Sequence, residues 1–305
     1  MTAVAAAPPG RRFARRATVE VPALSPGLQL ARGILIGILV LTVCLLLELL
    51  FLGDLQQRSV QQRSYDSLRA QLANGTAPLG PTNAVGAGLA LGTPIAYLEI
   101  PSIGVRQVVG EGTNASTLFS GPGHRRDTAF PGQVGTTVVF GRRGSFGGPF
   151  ARVDQLHKGD HIRVTTGAGV FTYKVLGVRD EGEEAPPAPG SGEGRLILTT
   201  AAGRPFVPDG VLRVDAALEK GAVSGLAPVV ATAALPADER LMASDTSTLW
   251  ALALWLQALI VVTGGAVWAW HRWGRAQAWV VFLPPLLFIG VNAMEEAARL
   301  LPNLL

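Results

Sequence analysis

Gly33 to Leu52 (GILIGILVLTVCLLLELLFL) is an apolar run interrupted by one charged side chain, Glu48. At about 1.5 Å per residue, a helix of this length crosses about 30 Å of hydrocarbon. A cleaved leader would have a shorter apolar core followed by a small-residue cleavage site, and LLLELLFLGDLQQ offers none. The run is therefore expected to remain as an anchor, with Glu48 reaching toward the outer headgroups. Arg11, Arg12, Arg15, Arg16 and Arg32 precede it and place a basic tail, residues 1–32, in the cytoplasm.

Two more apolar runs, 249–270 and 276–293, are expected to cross the membrane as a helical hairpin. All six tryptophans lie between Trp250 and Trp279. Tryptophan favours membrane boundaries because an apolar ring carries a polar N–H. Residues 271–275 form the cytoplasmic turn, and a tail, 294–305, lies outside. Pro284-Pro285 is expected to kink the last helix.

Charged residues make up 16% of the chain, against about 25% in soluble domains, and 48% are hydrophobic, which excludes a disordered chain. Net charge is +4. Between Pro94 and Lys220 there are 14 basic and 13 acidic residues. No basic face is available there for nucleic acid. The one cysteine, Cys44, lies in the anchor, so no internal disulfide forms. No Cys/His cluster has zinc spacing, and no cofactor or metal is expected.

Between the apolar runs the texture alternates. Asp54 to Ala73 reads as a polar helix, and Asn74 to Thr93 as a Gly/Pro-rich linker, together an extracellular segment, 53–93. Residues 94–220 carry short β-rich runs: Ile95–Ile100, Val105–Val109, Thr136–Phe140, His161–Thr166, Val170–Val178, Leu196–Thr199 and Val211–Ala216. Seven or eight strands in so short a stretch predict a mainly β fold outside the membrane, a closed barrel or a sandwich. Residues 221–248 read as a second linker.

Four segments of this β domain occur in an order that resembles the sortases, the cell-surface transpeptidases of Gram-positive bacteria. They are Ile95–Gly104 (IAYLEIPSIG), Gly121–His124 (GPGH) with Thr128–Gln133 (TAFPGQ), Phe150–Val164 (FARVDQLHKGDHIRV), and Leu196–Thr200 (LILTT). The resemblance implies a sortase-like barrel whose chemistry needs three side chains. A cysteine after the LTT strand attacks a threonyl carbonyl, a histidine protonates the leaving amine, and an arginine steadies the oxyanion. Here the cysteine position is occupied by Ala201, the histidine position by Arg142, and the arginine position by Gly210. A shifted register would put Arg204 or Arg213 in place of Gly210.

An alanine methyl cannot serve as a nucleophile, and losing one typically costs on the order of 10⁶ in rate. The resemblance therefore implies a pseudoenzyme that binds or scaffolds a surface protein or peptide at the plasma membrane. Thr199, Thr200, Arg142, Arg143, His124 and Arg204 are candidates to line its groove. His124 is expected to order a loop, and the acidic stretch Asp180–Gly194 to be solvated beside the cleft. Two alternatives stand: a cysteine-independent transpeptidase or peptidase acting through Thr200, and a structural component working through its C-terminal hairpin.

Overall fold

The computed structural model describes residues 25–83 and 85–305. Arg11, Arg12, Arg15 and Arg16 lie outside the described residues. The chain divides into two units, meeting between Val40 and Leu41. After Ser25, the described residues of the first unit belong to helix α1 (Pro26–Leu47). From Leu41 onward, α1 passes through a widened π turn, Glu48–Leu52, into α2 (Gly53–Ala73) without leaving helical dihedrals.

Eight strands follow: β1 (Pro94–Ile100), β2 (Val105–Glu111), β3 (Gly123–His124), β4 (Gly135–Phe140), β5 (His161–Thr166), β6 (Gly169–Arg179), β7 (Gly194–Arg204) and β8 (Val207–Leu218). They close in the order β1-β2-β3-β4-β7-β8-β6-β5, with β5 returning to β1. The pairs β2/β3 and β4/β7 are parallel and the others antiparallel. Alternation along the strands turns Leu98 and Ile100, Ile162 and Val164, Leu196 and Leu198, and Val214 and Ala216 into one core. A barrel this small is filled by such side chains and holds no channel.

β7 ends later and β8 begins earlier than the expected runs Leu196–Thr199 and Val211–Ala216, and two elements are absent from the expected set. β7 runs to Arg204 and β8 begins at Val207, a hairpin with a bulge between Ala201 and Gly203. The omitted elements are β3 and α3 (Ala115–Ser120), both shorter than the window in which periodicity can register. Asn114 caps α3 by accepting from the Thr117 N–H at 3.1 Å; Leu118 then packs against the barrel and Phe119 against Phe146, Leu49 and Ala298.

Helices α4 (Leu249–Trp273) and α5 (Arg275–Arg299) form the hairpin. Two helical stretches here, Thr246–Trp270 (α4 with the turn before it) and Ala276–Arg299 in α5, are long and apolar enough to cross a membrane. The turn is tighter than the expected 271–275, since Gly274, at φ 104°, is the one residue between the helices. α5 continues six residues past the expected boundary of 293, through Pro284 and Pro285. Residues 294–305 are thus not a free tail: Ala298, Leu304 and Leu305 are buried.

Two other segments also pack more closely than their composition suggests. Val223, in the expected linker 221–248, exchanges backbone hydrogen bonds with Gly132 and Val134 at 3.0 Å. Further along, Leu235 and Glu239 are buried, because the Glu239 carboxylate pairs with Arg126 and its carbonyl accepts from Thr113 Oγ1 at 2.7 Å. This segment is a strap across the barrel. Glu48, expected to reach headgroups, is 2% exposed, since the π turn packs against α5.

Candidate functional site

β4 and β7 run parallel, with Phe140 opposite Thr199, so both strands end at the same rim of the barrel. β7 delivers Thr199, Thr200 and Ala201 there, and β8 sets Val211 across from Ala201. Gly141 ends β4. A Cβ on it would lie 2.4 Å from the Phe150 ring, so glycine permits the close approach of that ring. The chain then turns through Arg142 and Arg143 beneath α3.

Arg142 is fully buried. Its guanidinium lies 4.6 Å from the Phe119 ring centroid and 5.3 Å from that of Phe146, so two aromatic faces offset part of its lost hydration. Nη1 donates to Ser145 Oγ at 3.0 Å and to the Leu305 carbonyl at 3.1 Å. Nε and Nη2 are buried without a hydrogen-bond partner among the described residues. Burial pushes the guanidinium down to about 9, which leaves it charged at neutral pH. Arg143 is held differently, by Asp154 Oδ2 at 2.8 Å and the Ala201 carbonyl at 3.4 Å.

Other candidates are distributed around this rim. Thr199 is buried and its carbonyl accepts from the Gly141 N–H at 3.0 Å. Thr200 is also buried, and its Oγ1 has no hydrogen-bond partner among the described residues. Arg204 sits exposed at the β7–β8 turn. Gly210, at φ 149°, faces Glu181, whose Oε2 would lie 3.1 Å from a Cβ placed there. Arg213 pairs across from Thr199, and its guanidinium is pushed down by burial and then by nearby Arg179.

His124 lies outside this rim cluster. Its Nδ1 meets Glu111 Oε2 at 2.9 Å and its Nε2 the Ala129 carbonyl at 3.0 Å. Both ring nitrogens thus face oxygen acceptors, and the ring ties β3 to the end of β2 and to the following loop. Within Asp180–Gly194, residues 180–193 form a largely exposed loop and Gly194 starts β7; Arg195 Nη1 secures the loop in part by donating to the Pro186 carbonyl at 3.1 Å.

The structure also brings in residues that no motif marked. Leu118, Phe140, Ala201 and Val211 form one apolar cluster with Leu304 and Leu305. Phe119 and Phe146 stack at 3.9 Å beside Arg142. An unpaired arginine followed within four residues by a phenylalanine was the available sequence signal. Leu304 and Leu305 gave none, being 162 residues and more from Arg142 along the chain.

A family model described as the sortase domain matches residues 98–206, which begin in β1 and end at the β7–β8 turn. The chain carries a sortase domain. Sortase D of Bacillus subtilis (strain 168) is 38% identical over 79 residues, covering 26% of this chain and 38% of that protein. This chain thus spans less than half the length of that relative. A Sortase D5 transpeptidase of Clostridium perfringens covers 53% of this chain at 22% identity and TM-score 0.44, with 99% of its own chain aligned. Sortase E from Streptomyces avermitilis covers 43% of this chain and 91% of its own at 28% identity and TM-score 0.37. In this sortase domain the rim at the end of β7 presents a methyl group, a fully buried arginine and an unpartnered hydroxyl.

Proposed function

We propose that this protein is a membrane-anchored sortase-domain protein that holds a segment of a surface protein without cutting it. One observation carries the reading: the β7 strand end, where the resemblance puts the nucleophile, presents the Ala201 methyl in an apolar cluster. Arg142, at the position of the family's histidine, supports it. A guanidinium between two phenylalanine rings has protons to donate in hydrogen bonds but no general-base or ready general-acid role at neutral pH. Among the described residues Thr200 has no base within hydrogen-bond reach, so its hydroxyl has no activating group there.

The rim suits binding. It offers backbone donors, two arginines and an apolar recess, the usual means of holding an extended peptide. The apolar segments of α1, α4 and α5 would keep this rim at the plasma membrane, facing the cell surface. The test is incubation of the purified full-length chain with an LPxTG-type peptide and a nucleophilic amine, followed by mass spectrometry. The expected result is unchanged peptide and no adduct on the protein. A transpeptidation product, a cleaved peptide or an acyl adduct would overturn the reading.

A further inference from the structure

The apolar recess at the rim is occupied. Leu304 and Leu305 pack into it against Leu118, Phe140, Ala201 and Val211, and both are buried. Their backbone is read as well as their side chains. The Arg143 N–H donates to the Leu304 carbonyl at 3.0 Å. The Leu305 carbonyl accepts twice, from Ser145 Oγ at 2.5 Å and from Arg142 Nη1 at 3.1 Å. Asn303 fixes the approach: its Nδ2 donates to the Thr113 carbonyl at 3.1 Å and the Arg240 carbonyl at 2.9 Å. Its N–H donates to the Ala243 carbonyl at 2.9 Å.

We propose that the barrel rim is a binding site for an extended apolar peptide and that Pro302–Leu305 of the same chain fills it in cis, so that any other peptide must displace this segment. The inference rests on the reading of the rim as a peptide-holding site and names its resident ligand. Two features go beyond ordinary core packing. Main-chain carbonyls of consecutive residues are recognised by three separate donors, which is sequence-tolerant recognition open to a second peptide. In addition, the buried Arg142 guanidinium, which donates to the Leu305 carbonyl through Nη1, keeps Nε and Nη2 without a partner among the described residues, donors left open for a displacing peptide. Recognition is selective at the side chains, where the recess accepts leucine-sized apolar groups and no charge.

A thiol placed at the floor of the recess reports whether it is covered. In the full-length chain carrying Cys44→Ser and Ala201→Cys, alkylation by iodoacetamide is compared with that of the same chain carrying Leu304→Asp and Leu305→Asp. Alkylation is expected to be at least about tenfold faster in the second chain, because the covering segment opens locally. A synthetic peptide of sequence LPNLL added to that chain should slow it again. Asn303→Ala, which removes the two side-chain anchors and leaves the leucines, should give an intermediate rate. Val164→Cys, in the barrel core, marks global unfolding; should it become reactive in the aspartate variant, the Asn303→Ala rate decides. Equal rates with and without the tail substitutions, or no protection by LPNLL, would overturn the proposal. Labelling needs no turnover, so peptide cleavage by the unaltered chain would sink the non-catalytic reading while leaving this result to stand or fall alone.

Discussion

His124 is a histidine inside a family motif, yet its surroundings describe a cross-link. Glu111 and His124 are both almost fully buried, at 2% and 1% side-chain exposure, and His124 Nδ1 lies 2.9 Å from Glu111 Oε2, so each is the other's hydrogen-bond partner. Removing one partner of such a pair leaves a buried polar group unsatisfied and costs about 1–3 kcal/mol. His124→Ala should therefore lower unfolding stability by about that amount, and His124→Ala with Glu111→Ala by clearly less than the sum of the two single changes. Strict additivity in thermal or denaturant unfolding would show that the pair does not couple. Tyr173 makes a second residue-scale prediction. Burial pushes its phenol up to about 12, although hydrogen bonds from the Gly132 N–H and with Thr137 act the other way. An acid whose folded pKa is raised binds more protons folded than unfolded, so stability is full below about pH 10 and falls as pH rises from about 10 to about 12. Tyr173→Phe should flatten that alkaline limb while itself costing about 1 kcal/mol for the lost 2.7 Å hydrogen bond from Gly132. An unchanged limb would reject it.

At the scale of elements, the sequence declared those with long periodic or apolar signals and concealed those defined by partners. Strands β1, β2, β5 and β6 were readable because apolar residues alternate there with polar ones, and α2 because it lies between the anchor and a Gly/Pro-rich stretch. The strap 221–248 and the end of α5 were not. Glu239 is an ordinary surface residue by composition, and Arg126, Thr113 and the fold that brings them together bury it. Motif order alone points to Arg142 and Ala201 as candidate site positions, whereas the recess beside them that Leu304 fills exists only after α5 returns the chain to the barrel. The polar look of α2 likewise hides a docking face. Gln61 donates to the Val108 and Ser120 carbonyls and accepts from the Val108 N–H at 2.7 Å, replacing a strand neighbour along the edge of β2. Leu68 is 1% exposed on that helix and Tyr65 lies 5.0 Å from the Tyr97 ring. Leu68→Ala should cost about 2–5 kcal/mol, as other buried leucine truncations do. The element also predicts that residues 53–247 resist denaturant better than residues 94–220. Equal midpoints for the two fragments would mean that α2 merely rests on the barrel.

For the molecule as a whole, the hairpin geometry sets which ends can share a side. α4 and α5 are each 25 residues, about 37 Å at 1.5 Å per residue, which is enough to cross the hydrocarbon once in each direction. Gly274 alone reverses the chain between them, so the start of α4 and the end of α5 lie together, far from the turn. The strap enters α4 from the barrel, and the segment leaving α5 re-enters the barrel at Asn303. Ser244 and the barrel should accordingly face one side of the membrane and Arg272 the other. By the positive-inside rule, the basic residues at the turn and before Gly33 predict that the turn side is cytoplasmic. In a Cys44→Ser background, intact cells treated with a membrane-impermeant maleimide should label Ser244→Cys and leave Arg272→Cys unmodified until the cells are opened. Labelling of Arg272→Cys in intact cells with Ser244→Cys protected would invert the orientation. Labelling of both would mean that the hairpin lies along the membrane surface, and the sortase domain would then be tethered by the first apolar helix alone.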